Sequence, residues 1–403
     1  MYNNEPESSS TGERNYLQKY FQYAETLVSS YTGTNPFHIY IKKYFSLHKK
    51  HGSRDRKIIT SLCYNYFRLG YSVSNDISFG EKLLLSIFLC ENNNSFLTGF
   101  IKPEWKLAIY LPLIDKLKIV EGTLNKEKIF PFPEELSLEI DSQQFNLSFL
   151  IHPKLFIRIR PGHEKTVFEK LAKAAFLYEK INKDCLAFSN TEKVSNVIDI
   201  DKEAVVQDYN SQQTISFLTS YIQNSSSQIS IWDCCAGSGG KSILTFDIFK
   251  NIKLTVSDTR KKILQSLQLR FAKAGIKNFD LLLSDMQKPA TFNLLFDLVI
   301  ADVPCSGSGT WPRTPEQLSF FKKKDIDNYT ALQKKIIQNA LPHLKSNGHL
   351  LYITCSVFKK ENEENVYFFQ KEFCLKLLGM KYLKGYEMQA DTLFVALFEK
   401  IDG

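Results

Sequence analysis

The stretch Ile229-Ser230-Ile231-Trp232-Asp233-Cys234-Cys235-Ala236-Gly237-Ser238-Gly239-Gly240-Lys241-Ser242 decides the fold. A short apolar run ends in an acidic residue, and a glycine-rich turn then leads into a helical segment, which is the pattern of a strand, a turn and a helix. Glycines in such a turn permit a sharp bend and let a ligand approach the backbone beside the helix N-terminus. The stretch therefore predicts a cofactor-binding turn after the first strand of an α/β domain.

The same pattern continues downstream. Further apolar runs predict strands at 254–258, 280–285, 298–302 and 350–354. Helical intervals are expected after each of the first three strands, and this βαβ order predicts a doubly wound, Rossmann-like parallel sheet. Segments near 380–383 and 393–398 predict an antiparallel hairpin at one edge of the sheet.

Two cysteines each follow a predicted buried strand. Cys305 comes after 298–302, and Cys355 comes directly after 350–354. Side chains at the carboxyl ends of parallel strands face the ligand crevice, so neighbouring strands would bring both thiols into one site. The pattern indicates covalent chemistry with a second thiol at hand.

Acidic residues end or follow several of these strands. Asp258 stands at the end of the second strand, where an acid conventionally accepts hydrogen bonds from ribose hydroxyls. Asp285 ends the predicted third strand, where it is placed to meet an adenine amino group. This row of acids predicts an adenosine-bearing cofactor without a pyrophosphate.

Two other nucleotide-binding motifs come close to the same turn. Gly240-Lys241-Ser242 resembles the end of a P-loop, but the P-loop pattern requires a glycine where Cys235 stands. The dinucleotide pattern G-x-G-x-x-G is also not present in the turn. Both alternatives are therefore less favoured than a cofactor that has no phosphate chain.

Composition limits the class of protein. A chain of 403 residues is expected to form two or three domains, and its 43% hydrophobic content is that of a globular protein. No apolar stretch approaches the roughly 20 residues of a membrane span, and the polar residues 1–14 are expected to be a tail and not a secretory signal. The eight cysteines include no C-x-x-C pair, which argues against a metal site and disulfides. We expect a cytoplasmic monomer with reduced thiols and no metal.

The chain divides into four predicted parts. Residues 1–14 are expected to be a disordered tail, 15–135 a helical domain, 150–206 a small α+β RNA-binding module and 207–403 the α/β domain. In the helical part, Ser53 is expected to cap a helix that ends at Gly70. One apolar stripe at helical spacing supports that helix, and its members are Ile58, Ile59, Leu62, Cys63, Tyr66 and Phe67.

Positive charge is concentrated in the helical part. The chain carries a net charge of +8, and residues 37–70 contain eight basic residues against one acidic residue, a local charge of +7. Aromatic residues are interleaved with these lysines and arginines, as in many nucleic-acid binders. A solvated helix face is the alternative interpretation.

Three motifs resemble the Sun/RsmB-type RNA cytosine-5 methyltransferases, which use S-adenosylmethionine. Residues 235–241 match the family's cofactor turn, and 302–309 match its Asp-x-Pro-Cys-Ser-Gly-x-Gly element. The third match is Tyr352-Ile353-Thr354-Cys355-Ser356 with the acidic stretch 361–365 after it. The helices before residue 135 resemble, more weakly, the NusB-like RNA-binding bundle of several members. Three positions depart from the family pattern: Ser238 replaces a usual proline, Val303 a common alanine, and Ile263 a usual arginine.

The resemblance implies a role for each site residue. Cys355 would be the nucleophile, Cys305 would help remove the C5 proton and release product, and Asp302 would hydrogen-bond the base. DNA enzymes of similar chemistry use the cysteine of a Pro-Cys pair as nucleophile, which would exchange the two cysteine roles. The resemblance assigns cofactor binding to one further set: Cys235, Ala236, Gly237, Ser238, Gly239, Gly240, Lys241, Asp258, Asp285 and Asp302.

The same resemblance implies an RNA substrate. A cytosine in ribosomal RNA of the 16S type is expected, because the NusB-like part is typical of the ribosomal branch, and transfer RNA is the alternative. A catalytically silent RNA-binding assembly factor is the hypothesis from another class. Trp311 and Arg313 follow the Pro-Cys element and would either stack on RNA or pack inside the protein.

Overall fold

The computed structural model describes residues 11–91, 96–219, 228–249 and 251–401. Its α-helices in chain order are α1 (Thr11–Ser30), α2 (Phe37–Leu47), α3 (Ser53–Arg68), α4 (Phe79–Cys90), α5 (Leu113–Ile119), α6 (Ser142–Ser148), α7 (Glu164–Lys173), α8 (Tyr209–Gln213), α9 (Gly240–Ile248), α10 (Lys261–Ala274), α11 (Gln317–Phe320), α12 (Lys324–Ala340) and α13 (Glu363–Glu372). Its strands are β1 (Leu155–Ile159), β2 (Glu179–Lys180), β3 (Cys185–Phe188), β4 (Ala204–Val206), β5 (Ile229–Asp233), β6 (Ile252–Asp258), β7 (Phe279–Leu283), β8 (Phe296–Asp302), β9 (Leu344–Thr354), β10 (Leu375–Leu383) and β11 (Leu393–Lys400).

The described residues form two compact units. The first comprises the chain up to Pro133, together with Ser142–His152 and Trp311–Phe321. The second comprises Glu134–Asp141, Pro153–Thr310 and the chain from Lys322 onward. Both units are therefore assembled from separated stretches of sequence.

The larger sheet of the second unit has the order β10-β11-β9-β8-β5-β6-β7 within the described residues. Strands β5 to β9 pair in parallel, and β11 runs antiparallel to both β9 and β10. Ile231, Leu298 and Leu351 are fully buried in its core. The predicted doubly wound sheet and its antiparallel edge hairpin are confirmed.

One predicted helical interval is wrong. Residues 284–295, between β7 and β8, contain turns and irregular backbone but no helix. The connection is short and contains Pro289, which lacks an N–H group and disfavours helical backbone at the preceding residue. As a result β7 ends at Leu283, and Asp285 lies in the loop that follows the strand.

The smaller sheet, of order β2-β3-β1-β4, is antiparallel and carries α7 on one face. Arg158 lies in β1 and Arg160 directly follows the strand, alternating with apolar residues, and both arginines are buried. Each guanidinium pairs at 2.7 Å with Asp247 of α9. A buried charge left unpaired costs several kcal/mol, on the order of 3–5, so these pairs fix the small sheet against the larger one.

Helices α1, α3 and α4 form the core of the first unit. The predicted stripe of α3 is buried, except that Tyr66 is half-buried and stacks on Phe79. The N-cap of α3 is Gly52, whose N–H donates to Asp55, so the expectation that Ser53 caps the helix is wrong. Helix α1 begins at Thr11, so residues 11–14 are helical and not part of a tail, and residues 1–10 lie outside the described residues.

Candidate active site

The two predicted strand-end cysteines meet at one edge of the larger sheet. β8 and β9 are neighbours, with Asp302 opposite Ile353, and each strand delivers its cysteine just past that point. The backbone N–H of Cys355 donates to the Sγ atom of Cys305 at 3.3 Å. Both residues are half-buried, so both thiols lie at an accessible boundary of the core.

The electrostatic environment acts on the Cys355 thiol in two directions. Its hydrogen bond with the Cys305 side chain and its burial raise its pKa well above the ordinary cysteine value, and the nearby Asp302 carboxylate adds to the effect. The Lys241 ammonium group lowers the same pKa. Lys241 is therefore the cation that favours the Cys355 thiolate.

Lys241 and Asp302 form an ion pair inside the site. The Lys241 ammonium donates to Asp302 Oδ2 at 2.7 Å, and the lysine side chain is about nine-tenths buried. Burial alone would lower the lysine pKa, but Asp302 and Cys355 together raise it above its ordinary value. The lysine is thus held as a cation beside the carboxylate and the thiol.

The glycine-rich turn has the backbone that its sequence predicts. Gly237 and Gly239 have φ angles of +52° and +84°, and a Cβ atom at Gly239 would lie 2.8 Å from the Phe271 ring. At the base of the turn, Asp233 is buried and accepts a hydrogen bond from the Ser242 hydroxyl at 2.6 Å. Desolvation raises the pKa of Asp233 to about 7. Only glycine fits the turn at position 239 without a clash.

Asp258 reaches the same turn from the end of β6. Its Oδ2 atom accepts a hydrogen bond from the Gly237 N–H at 3.1 Å, and the Arg260 guanidinium holds both carboxylate oxygens at 2.9 Å. Burial would raise the pKa of Asp258, but these hydrogen bonds lower it. The acid is therefore charged beside the turn.

These groups line one cavity of about 690 Å³. The predicted residues on its wall are Cys235, Ala236, Gly237, Ser238, Gly240, Lys241, Asp258, Asp285, Asp302, Cys305 and Cys355. Of the predicted cofactor-binding residues, Gly239 does not line the cavity. It lies behind the cavity wall and packs against Phe271. The structure thus brings the glycine-rich turn, the three aspartates and both thiols around one space.

Glu361 is an important site residue that the sequence did not single out within its acidic stretch. Its buried carboxylate accepts hydrogen bonds from the Ser306 N–H at 2.9 Å and the Ser356 hydroxyl at 2.7 Å. These serines directly follow Cys305 and Cys355. A third donor is the Gln333 side chain of α12 at 2.8 Å. One carboxylate therefore ties together the two cysteine-bearing loops.

Gly309 fixes the same region from the other side. Its N–H donates to the Cys355 carbonyl oxygen, and its own carbonyl oxygen accepts from the Thr392 N–H, both at 2.9 Å. A Cβ atom on Gly309 would lie 2.0 Å from the Thr392 oxygen. The last glycine of the Asp-x-Pro-Cys-Ser-Gly-x-Gly element is thus required by close backbone packing.

The two interpretations of Trp311 are resolved by burial. Its side chain is 1% exposed and packs in the first unit against Phe130, Phe132 and Phe321. A ring in this position is not available to stack on RNA. Packing is the role that the structure supports.

The described residues contain no group of three His, Cys, Asp or Glu side chains placed to hold a metal ion. In the same part of the chain, no helix combines the length and the apolar character needed to cross a membrane.

Comparison with known proteins links this site to a family. Residues 220–394 match the family model described as 16S rRNA methyltransferase RsmB/F. Ribosomal RNA small subunit methyltransferase B of Erwinia tasmaniensis is 28% identical over 226 residues, which cover 53% of this chain and 50% of that protein. The protein of the same name from Enterobacter sp. strain 638 is 25% identical over 280 residues, covering 68% and 58%. The chain thus spans about half the length of these relatives.

Solved structures share the fold. The crystal structure of PH0851 superposes with a TM-score of 0.69 at 18% identity, covering 95% of this chain and 98% of that one. NSun6 from Pyrococcus horikoshii, solved with SFG, has a TM-score of 0.57 at 15% identity over 68% of this chain and 97% of that one. The family match spans β5 to β10 and both cysteine motifs, so residues 220–394 are similar to the RsmB/F methyltransferases.

Proposed function

We propose that this protein is an RNA cytosine-5 methyltransferase that uses S-adenosylmethionine and acts on small-subunit ribosomal RNA. The observation that carries the proposal is the contact between Cys305 and Cys355 on the wall of the cavity that the cofactor turn also lines. A cavity of about 690 Å³ lies within the usual range for small-molecule sites, which is about 300–1,000 Å³.

The residues of the cavity fit the cofactor. The glycine turn leaves backbone space, Asp258 presents a charged carboxylate for ribose hydroxyls, and Asp285 stands in the next loop toward the adenine position. Four hydrogen bonds already engage the Asp258 carboxylate: one from the Gly237 N–H, one from the Arg260 N–H and two from the Arg260 guanidinium. Ribose binding therefore requires the exposed Arg260 side chain to move, which frees the two guanidinium positions. When bound, S-adenosylmethionine supplies an electrophilic methyl group on a sulfonium sulfur.

The two thiols activate and release the base. The Cys355 thiolate adds to C6 of cytosine, forming an S–C6 bond, and the electron pair of the C5–C6 double bond makes C5 nucleophilic. After C5 has been methylated, its proton passes to the Cys305 sulfur, the S–C6 bond breaks and the double bond re-forms. The proposed roles follow the order of the two motifs in the family that the chain resembles.

Lys241 and Asp302 support these steps. Lys241 lowers the pKa of Cys355 and therefore increases the thiolate fraction. Its ion pair holds the Asp302 carboxylate at the cavity wall, where one oxygen is available to the amino group of the base. A buried ion pair of this kind orients the carboxylate without leaving either charge uncompensated.

The amino-terminal helices supply a surface for the RNA. Lys42 and Lys43 of α2, Lys49 in the following loop and Lys57 of α3 are exposed. Phosphate contacts by lysines give the affinity that does not depend on sequence. Small-subunit ribosomal RNA is proposed because the relatives named above are small-subunit ribosomal RNA methyltransferases. A silent assembly factor would have no need to keep both thiols and Asp302 together.

The test is a methyl-transfer assay with purified protein, radiolabelled S-adenosylmethionine and unmodified small-subunit ribosomal RNA, followed by nucleoside analysis. We expect 5-methylcytidine as the labelled product and none from Asp302→Asn protein. Transfer RNA serves as the competing substrate. Bound RNA with no methylated nucleoside would favour the assembly-factor hypothesis, and label in transfer RNA alone would replace the substrate.

A further inference from the structure

The Arg270 side chain on α10 joins the cofactor turn to the small sheet. Its Nη1 atom donates to the carbonyl oxygen and the hydroxyl of Ser238 at 2.9 and 3.0 Å. Its Nε and Nη2 atoms donate to Asp201 Oδ1 at 2.9 and 2.7 Å. One planar guanidinium thus bonds to a residue of the turn and to a residue just before β4, all within the second unit.

Asp201 is held in a conformation that few residues adopt. Its φ angle is +73°, in the left-handed region that aspartate tolerates better than most side chains. Its N–H donates to the Ala204 carbonyl at 2.8 Å, and its own carbonyl oxygen accepts from Arg160 at 3.1 Å. Such backbone persists only where its surroundings fix it. Asp201 is therefore a rigid anchor for Arg270.

The turn, by contrast, has little restraint of its own at Ser238. Ser238 lies between Gly237 and Gly239, both of which have positive φ, and glycine gains the most freedom when a restraint is lost. Among the described residues no hydrogen bond from the Ser238 N–H is found. The two bonds from Arg270 are the side-chain contacts that hold this residue in place.

We propose that Arg270 is a positioning residue for cofactor binding, and that Asp201 makes the small sheet part of this support. Arg270 keeps Ser238 in its binding conformation before the cofactor arrives, so that binding does not have to order this residue of the turn. This inference rests on the proposed use of S-adenosylmethionine. It assigns Arg270 no contact with the reacting atoms, and so it predicts an effect on affinity and KM while kcat is retained.

Calorimetric titration of S-adenosylmethionine into the full-length protein tests the proposal without relying on methyl transfer. We expect Arg270→Ala to weaken binding about tenfold or more, since it removes charge-assisted hydrogen bonds to the turn. Asp201→Asn, which tolerates the left-handed backbone, should weaken binding in the same direction, and adding it to Arg270→Ala should change little more. Lys273→Ala, an exposed cation on the same helix, is the matched control and should bind like wild type.

A rescue variant separates positioning from general stability. Ser238→Pro fixes φ at the centre of the turn and removes an N–H that makes no bond, so it should restore most of the affinity of Arg270→Ala. Wild-type affinity in Arg270→Ala, or a loss that Ser238→Pro does not restore, would overturn the inference. Wild-type protein that binds no S-adenosylmethionine would instead contradict the proposed function itself.

Discussion

Lys241 donates a hydrogen bond to Asp302 at 2.7 Å, although Lys241 lies in the first turn of α9 and Asp302 ends β8. This ion pair places a cation beside the Cys355 thiol, whose pKa is otherwise raised. The charge balance of the site therefore links the pH dependence of the proposed reaction to one lysine.

Replacing Lys241 with methionine should move the pH profile of kcat/KM to higher pH. In wild type the raised pKa of Cys355 makes the rate increase with pH through the neutral and alkaline range, because only the thiolate adds to the base. Without the lysine the thiolate is less favoured, so the same increase occurs at higher pH and the rate at neutral pH falls. Lys262→Met, at an exposed site on α10, is the control. An unshifted profile in Lys241→Met would show that the lysine does not set the thiol pKa.

Glu361→Ala should lower both stability and activity. It leaves the Ser306 N–H, the Ser356 hydroxyl and the Gln333 amide without their acceptor, and each buried unpaired group costs about 1–3 kcal/mol. We expect a loss of about 3 kcal/mol or more in the free energy of unfolding, measured with urea. Glu361→Gln keeps one acceptor oxygen and should lose less, and exposed Glu364→Ala should be neutral. Equal stability of all three variants would contradict the proposed clamp.

Asp233 should make the protein less stable as the pH rises. Burial raises its pKa from 3.8 to about 7, so between these values the folded protein keeps a proton that the unfolded chain releases. Stability is therefore lost progressively over that window, at up to about 1.4 kcal/mol per pH unit, and the loss is complete above the folded-state pKa. Asp233→Asn does not titrate, so the difference between the two urea-unfolding curves isolates this residue. A difference that does not change with pH would mean that Asp233 is charged in the folded state.

Charge reversal of the exposed amino-terminal lysines should weaken RNA binding. Changing Lys42, Lys43, Lys49 and Lys57 to glutamate removes four candidate phosphate contacts, so the slope of log affinity against log salt should fall by about 3. Filter binding with small-subunit ribosomal RNA at several salt concentrations measures this slope. The matched control is the same reversal at Lys173, Lys277, Lys371 and Lys376, which are also exposed. An equal effect of both variants would indicate a non-specific charge effect.

The sequence predicts best the features that depend on local pattern. Strand ends, the glycine turn and the meeting of Cys305 with Cys355 follow from apolar runs and from the geometry of parallel strands. Contacts between distant segments do not follow in this way. The hydrogen bonds of Glu361 to Ser306 and Ser356 depend on the packing of α12 beside the sheet. The sequence does not distinguish Glu361 from the other acidic residues of 361–365.

The basic residues in β1 and directly after it show the same limit. Alternating arginines on a strand are equally compatible with an exposed, RNA-binding face and with a buried face. The alternation shows that the arginines share one face of the strand, but not whether that face is exposed. Asp247 of α9 decides the outcome by pairing with Arg158 and Arg160 from a distant part of the chain. Likewise, the missing helix after β7 depends on how tightly the chain must return to β8.

The most direct test of the covalent mechanism is a denaturing gel of the two single cysteine variants after incubation with S-adenosylmethionine and small-subunit ribosomal RNA. The Cys305→Ala protein should accumulate a protein–RNA adduct that survives denaturation, because the S–C6 bond forms but proton removal is slowed. The Cys355→Ala protein and the double variant should form none. An adduct with Cys355→Ala and none with Cys305→Ala would exchange the two roles, and no adduct with any variant, from a protein that methylates RNA, would contradict covalent catalysis.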